Sequence, residues 1–372
     1  MRILNIVSSN IVQDPRILKQ METIKQITED YIVLGKSNIN VTDERLKTLN
    51  FNYKLFGQNI EENSIIKKII NRIKFGRSVI LFIKSYKPDV IHANDFDVLF
   101  IVFLSRYTKA RIVYDAHEIY SKNAFINKVK VLSGIIQFIE KKIINRVDSF
   151  ITVSNAAKNY YLSKGYKKEP IVITNAPIKE NIKIKNNGRN NFEVVYQGQL
   201  VSNRGYEEFL DAGRYINDEN IKLIIRGFGH LENKLKELKI KTNIKNVDIE
   251  DPVEMSQLVK AMSNSHVGVV LTKPTSINFE YTVSNKIFEC LHAGMPVILS
   301  PVKEHIYLNN KYNFGIVIDE VKPELIAKEI LKLNDNKELY NKLKKNAIKA
   351  ADELKWQNEE LKLIEIYTKK NT

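Results

Sequence analysis

The sequence predicts an α/β protein built from two facing, doubly wound, Rossmann-like domains, and three observations carry that reading. Short β-branched runs alternate with amphipathic stretches along the whole chain. Several of those runs are continuously apolar, the pattern of a parallel strand covered on both faces. The alternation breaks once, across 176–192, and then restarts. A length of 372 residues suits two domains at roughly 100–200 residues each.

In the first half, the runs at 3–7, 31–34, 90–92, 112–114, 149–153 and 171–173 are the expected strands. The stretches 15–27, 65–86 and 131–146 are the expected helices between them, and the apolar run 98–104 is strand-sized. Asp14 stands before Pro15, which suits a side-chain cap followed by proline in the first helical turn. Residues 176–191, rich in Asn and Lys, lack apolar periodicity and read as a break between domains. After it, strands are expected at 192–196, 222–226, 247–249, 267–271, 296–299 and 315–318. Helices are expected at 206–215, 231–238, 255–262, 286–293, 323–333, 337–354 and 358–368. The resulting plan is a first domain over 1–178, a linker over 179–191, a second domain over 192–354, and a closing helix in 355–372 that returns to the first domain. Such a pair would place a cleft between the carboxyl ends of two parallel sheets, where open α/β sheets bind ligands.

Composition narrows the class. Hydrophobic residues at 44% and charged residues at 27% are those of a folded globular protein, which removes disordered and fibrous classes. The single cysteine, Cys290, excludes a disulfide framework and a multi-thiolate zinc site and suits a reducing cytosol. No apolar run approaches the roughly 18 residues that span a bilayer. The apolar stretch at the start is too short for a signal-peptide core and reads as a first strand. A cytoplasmic location is therefore expected, with peripheral attachment at an inner membrane face. The charge is +15, from 58 Lys and Arg against 43 Asp and Glu. Residues 1–180 carry 29 basic and 17 acidic side chains, so most of the excess lies in the first half. A basic half attracts anionic lipid, acidic substrate or nucleic acid.

The basic residues concentrate between 63 and 88, which holds seven of them and no acid. On a helical wheel Ile65, Ile66, Ile69, Ile70 and Ile73 share one face, with Lys67, Lys68, Arg72 and Lys74 off it. This helix either buries its isoleucines in a domain core or lies on an anionic membrane, and lysines beside a buried stripe would serve both.

Chemistry is concentrated at the ends of expected strands. The segment 278–298 reads as a polar loop, a short helix, a glycine stop and a buried strand. Ser284 or Asn285 can cap that helix, whose first amides form an anion site to which Lys286 adds a full charge. Glu289 sits one turn in, where a carboxylate can accept two sugar hydroxyls; alternatively it is solvated near the helix dipole's positive end. A second segment runs Tyr196-Gln197-Gly198-Gln199 to Arg204-Gly205, a strand, a loop and a helix start. Arg204 is placed there to bind a diphosphate bidentately, or is a surface residue of a tight turn. Arg226-Gly227-Phe228-Gly229 follows another strand and would let backbone approach a ligand, though ordinary turns look similar. In the first half, His117 in Tyr114-Asp115-Ala116-His117-Glu118 falls just past a strand, at a sheet's carboxyl edge. The loop through Asp14 and Arg16 lies on the same edge, as does the turn after His92. Asp95 and Asp97 could chelate a divalent cation, but at a helix start capping carboxylates fit better, and no metal site is expected.

Taken together, these segments resemble the retaining nucleotide-sugar glycosyltransferases of family 4, which have the GT-B fold. The resemblance covers almost the whole chain in order. It includes Asp14-Pro15-Arg16, Pro88-Asp89-Val90-Ile91-His92-Ala93, Tyr114 to Glu118, Asp148 to Ser154, Val172 to Asn175, Tyr196 to Gly205, and Asn285 to Glu289 with Gly294-Met295-Pro296-Val297. It implies that Glu289 holds ribose hydroxyls. Arg204 and the amides near Asn285 and Lys286 would hold the diphosphate, with Gly198, Gln199, Arg226, Gly227, Tyr281 and Ser284 around the donor. His117 would contact the transferred sugar, with Asp14, Arg16 and His92 on the acceptor side. Two departures stand out. Many members carry two Glu separated by seven residues, but here the first position is Tyr281 and Glu280 is one residue out of register. Many also have Arg at the position of Gln199 and Lys at that of Arg204.

The implied activity is transfer of a hexose-type sugar from a nucleoside diphosphate sugar, a UDP-sugar first, to a glycan or lipid-linked acceptor in cell-surface polysaccharide synthesis. No cofactor and no metal are implied, because cations of the chain would stabilise the departing diphosphate. An epimerase or phosphorylase on the same fold is the near alternative. A metal-dependent transferase would use Asp95 and Asp97. A nucleic-acid-binding protein would need basic residues interleaved with exposed aromatics, or a known module, and neither is present.

Overall fold

The structure is a computed structural model describing residues 1–9, 11–12, 14–37, 46–57, 65–123, 130–180 and 191–369. The chain forms two units: residues 1–175 with 359–372, and residues 176–358. Most of the stretch expected to link the domains lies outside the described residues.

The first unit holds a parallel seven-stranded sheet ordered β3-β2-β1-β4-β5-β6-β7. Its strands are β1 (Ile3–Ile6), β2 (Tyr31–Lys36), β3 (Tyr53–Phe56), β4 (Val90–Asn94), β5 (Arg111–Ala116), β6 (Ser149–Thr152) and β7 (Ile171–Val172). Its helices are α1 (Pro15–Lys25), α2 (Ile65–Tyr86), α3 (Phe96–Leu104), α4 (Lys130–Ile144) and α5 (Asn155–Ser163). The sheet reverses direction of growth between β1 and β4, where Asn5 pairs with His92. Asn94 pairs with Asp115 on β5, so the chemistry-bearing ends of three strands lie side by side. β1 and β4 are buried along their whole length, the environment that the continuous apolar runs require.

The second unit repeats the plan with six parallel strands ordered β10-β9-β8-β11-β12-β13. They are β8 (Phe192–Gln197), β9 (Ile221–Arg226), β10 (Val247–Glu250), β11 (Val267–Val270), β12 (Val297–Leu299) and β13 (Gly315–Val317). The helices are α6 (Tyr206–Ala212), α7 (Glu232–Thr242), α8 (Leu258–Met262), α9 (Ile277–Tyr281), α10 (Asn285–His292), α11 (Lys303–Tyr312), α12 (Pro323–Asp335) and α13 (Lys337–Glu353). One face of the sheet packs Tyr196, Tyr206, Phe209 and Leu271. The other packs Val195, Phe288, Cys290 and Leu291. Here the switch point lies between β8 and β11. A last helix, α14 (Trp356–Thr368), closes the chain. From Glu359 on it belongs to the first unit, where Glu359 accepts the Thr174 amide and Arg111 donates to the Tyr367 carbonyl.

Several expectations are corrected. The strand-sized run 98–104 lies in a helix, α3, whose start is the one expected at Asp95 and Asp97. β3, α5, α9 and α11 were not expected, and β3 is a half-exposed four-residue edge strand with little apolar signal. Ile69, Ile70 and Ile73 of the isoleucine stripe of α2 do not enter the core; they are exposed. The buried side chains are Phe75, Val79 and Ile83, in the second half of the helix.

Candidate active site

At the β8/β11 switch point a pocket of about 330 Å³ is lined by Gly198, Gln199, Arg204, Ser284, Asn285, Lys286 and Glu289. Thus seven of the residues expected around a donor come together, from two separate segments of the chain. Gly198 follows β8 directly, at φ +137°, and a Cβ there would lie 2.2 Å from Cε of Lys286. The glycine lets the lysine side chain run across the backbone. Gly227 is needed beside it, after the neighbouring strand β9, since its own Cβ would meet the Gly198 carbonyl oxygen at 1.8 Å.

Arg204 is held on both sides. Its guanidinium donates to Thr272 Oγ1 at 2.8 Å and lies 4.5 Å from the centre of the Phe279 ring. The buried Tyr196 hydroxyl donates to the Arg204 carbonyl and accepts the Leu271 amide at 3.2 Å, which ties the loop to the end of β11. A planar cation so restrained loses little further entropy when it grips a phosphate. Lys286 is half-buried at the start of α10, beside Arg204. Burial, followed by repulsion from Arg204, pushes it down to about 8, so any anion entering the pocket pulls a proton onto it. α10 has no acid in its first turn, and the Ser284 hydroxyl makes no cap; Ser284 accepts the Ile287 amide through its carbonyl instead. The expected side-chain cap is therefore not made.

Three residues expected around the donor do not line the pocket. Arg226 pairs with Glu250 at 2.7 Å and donates to Gln197, so its charge is already used. Gly227 has the packing role described above. Tyr281 contacts Lys303, whose ammonium lies 4.0 Å from its ring centre and also 3.3 Å from Glu280. Thr272, Phe279, Leu258, Thr282 and Val283 line the pocket without having been expected. Thr272 had a usable signal, its place just past a strand at the switch point. Phe279 had none, because a loop aromatic gives no local sign of stacking on an arginine.

The first unit gathers a buried polar network at the ends of β1, β4 and β5. Asp115 accepts two hydrogen bonds from Arg16, both at 2.8 Å, and one from Gln20 at 2.7 Å. His92 Nε2 lies 3.4 Å from the same carboxylate, and its Nδ1 is 2.6 Å from the Tyr367 hydroxyl. Burial opposes ionisation of Asp115, but Arg16 and the two histidines outweigh it and hold its pKa well below the usual range. Arg16 and His92 are both buried, so they support the surface and do not form it. Asp14 caps α1, accepting the Arg16 and Ile17 amides.

His117 is the half-buried end of this network. Its Nε2 lies 3.7 Å from Asp115 and its Nδ1 3.6 Å from Asp95. Burial disfavours the imidazolium, but the two carboxylates dominate and raise the pKa to about 9. Asp95 does not cap α3 with its side chain as expected. Its carboxylate accepts the His117 amide at 3.3 Å, while its own amide donates to the Asp115 carbonyl. Its backbone sits at φ +66°, ψ +159°, a region that costs a non-glycine residue about 1–3 kcal/mol. Those two bonds hold it there. Asp97 is ion-paired to Arg72. Among the described residues no group of three or more His, Cys, Asp or Glu is arranged to hold a metal ion.

Two Rossmann-like units, the second with a cationic pocket at its switch point, are the architecture of the GT-B glycosyltransferases. Comparison with known proteins places the chain within that class. Residues 177–350 match the family described as glycosyl transferases group 1, and residues 54–179 match Glycosyltransferase Family 4. The chain belongs to these glycosyltransferases. A curated relative is the uncharacterized glycosyltransferase MJ1178 of Methanocaldococcus jannaschii, 24% identical over 88% of this chain and 92% of that one. Among solved structures, sucrose-phosphate synthase from Thermosynechococcus elongatus superposes with a TM-score of 0.76 at 16% identity, covering 99% of this chain and 98% of that one. Anabaena Alr3699/HepE, solved in complex with UDP and glucose, superposes with a TM-score of 0.74 at 15% identity, covering both chains fully. At such identities the structural likeness shows the fold.

Proposed function

We propose that the protein transfers a hexose-type sugar from a nucleoside diphosphate sugar, a UDP-sugar first, to a hydroxyl of a glycan or lipid-linked acceptor. The reading places it in the cytoplasm, in cell-surface polysaccharide assembly. The observation that carries the chemistry is the convergence of Arg204, Lys286, Glu289 and the first turn of α10 on one pocket. That UDP is present in the Alr3699/HepE complex supports a uridine nucleotide.

In the proposed reaction the acceptor oxygen bonds to the anomeric carbon as the bond from that carbon to the diphosphate oxygen breaks. The acceptor's proton passes to the departing diphosphate. Negative charge grows on that group, and Arg204, Lys286 and the α10 amides stabilise it in place, without rearrangement. Glu289 accepts the ribose hydroxyls. His117, cationic at neutral pH, is assigned a donor contact to the transferred sugar. Configuration is retained by attack from the same face, since no carboxylate is assigned as a nucleophile. The excess of cations in residues 1–180 favours an anionic acceptor.

Thermal-shift screening against nucleoside diphosphates and their sugars tests the donor. Stabilisation by UDP, lost in Glu289→Ala and Arg204→Ala, is expected; no stabilisation by any nucleoside diphosphate would remove the proposal. Full activity in excess chelator is expected from cations supplied by the chain. Product analysis by NMR should find a new glycosidic bond of unchanged anomeric configuration and no trapped glycosyl adduct. A free epimerised or phosphorylated sugar would favour the epimerase or phosphorylase reading.

A further inference from the structure

We infer that the face formed by α2, α3 and α4 docks the protein on an anionic lipid bilayer, with apolar side chains entering the headgroup region. The inference does not depend on the transfer reaction, since it concerns a surface and needs no nucleotide sugar.

The first observation is apolar exposure. On α2, Ile69, Ile70 and Ile73 are exposed, Ile73 by 59%. On α3, Phe100 and Leu104 are exposed. On α4, Val131 (74%), Ile135 (53%) and Phe138 (59%) follow one another at spacings of four and three residues, which sets them on one stripe. These helices share an apolar groove of about 530 Å³, whose walls include Ile73, Ile80, Phe96, Phe100 and Ile136. Single exposed apolar residues are ordinary, but a continuous patch over three helices needs a partner.

Charge identifies the partner. α2 carries Lys67, Lys68, Arg72, Lys74, Arg77 and Lys84 and no acid. α4 carries Lys130, Lys141 and Lys142, and its one acid, Glu140, is buried against the Tyr166 hydroxyl at 3.1 Å. Asp97, on α3, is already paired with Arg72. The face thus combines Ile, Leu, Val and Phe with cations and almost no exposed negative charge. That is the composition of a surface lying in the interface of an anionic bilayer. A second copy of this chain is a poor occupant, because an isologous contact sets the same cations against each other. Among the described residues no helix is long and apolar enough to cross a membrane, so the contact is one of lying on the surface.

Sedimentation with vesicles of phosphatidylcholine alone, and of phosphatidylcholine mixed with phosphatidylglycerol, tests this on the full chain. Binding to the mixed vesicles only, weakening as salt rises, is expected. Each cation lost near the surface weakens binding roughly fivefold, so Lys67→Glu, Lys68→Glu and Lys74→Glu together should lose about a hundredfold or more. Ile135→Asp with Phe138→Asp should abolish binding while the melting temperature stays unchanged, because both side chains are exposed. Equal binding to both vesicles, or full binding by the Asp variant, would overturn the inference. So would failure to bind either vesicle, including the case of a larger species in solution that the Asp variant returns to monomer, which would assign the face to a protein partner.

Discussion

At the scale of single residues, the two candidate centres are built from charges shifted in opposite directions. His117 is raised to about 9 by Asp95 and Asp115 against the effect of burial. A folded value above the ordinary 6.5 means that this pairing stabilises the protein fully below about pH 6.5 and is lost as pH rises through 9. Asp95→Asn removes the nearer carboxylate, so an NMR titration of the imidazole should find its midpoint well below that of the parent protein. An unchanged midpoint would show that Asp115 alone sets it. Lys286 is the reverse case. Its folded value of about 8 lies below the ordinary 10.5, so between those values the unfolded chain holds the proton that the folded one has released. Stability contributed by this residue therefore rises with pH across that window. Diphosphate binding should do the opposite, weakening above pH 8. Calorimetric titration with UDP should follow that trend in the parent protein and flatten in Lys286→Arg, which keeps its charge. Lys286→Met should cost about 1.5–3 kcal/mol, roughly tenfold to a hundredfold in affinity.

At the scale of elements, the donor pocket depends on backbone approach. Gly198 follows β8 so that the Lys286 side chain can cross it, and Gly227, just past β9, lies against the same glycine. Gly198→Ala places a methyl group 2.2 Å from Cε of Lys286, at a backbone angle that costs a non-glycine residue about 1–3 kcal/mol. The expected result is at least a tenfold loss in UDP affinity. In Gly198→Ala with Lys286→Met, the two losses should be less than additive, because the alanine acts through the lysine. α2 shows how a periodic pattern can mislead. Its apolar residues fall in two successive runs, and wheel arithmetic favours the isoleucine-rich run at its start. The sheet instead takes Phe75, Val79 and Ile83.

At the scale of the whole molecule, the last helix joins residues distant in sequence. Tyr367 is fully buried in the first unit, its hydroxyl on His92, which itself backs Asp115. Tyr367→Ala should destabilise that unit by about 3–5 kcal/mol through lost burial and the cavity left behind. Tyr367→Phe, which removes only the hydrogen bond, should cost about 1 kcal/mol. Hydrogen exchange resolves the two units separately. In Tyr367→Ala the strands β1, β4 and β5 should exchange faster while β8 and β11 keep their protection.

The sequence alone determined the fold class, the parallel strands, and the segments that carry chemistry, because buried parallel strands and glycine-punctuated strand ends leave local signatures. Thus the segments around Gly198, Arg204 and Lys286 to Glu289 were legible, as was the place of His117 after a strand. Tertiary structure alone decided which groups in those segments remain available. Arg226 is neutralised by Glu250, His92 and Arg16 are buried beneath Asp115, and Asp95 turns from a helix cap into the partner of His117. It also decided which half of α2 is buried. The physical reason is common to all of these: a charge's partner and a side chain's burial are set by neighbours far away in sequence, and local patterns cannot specify them.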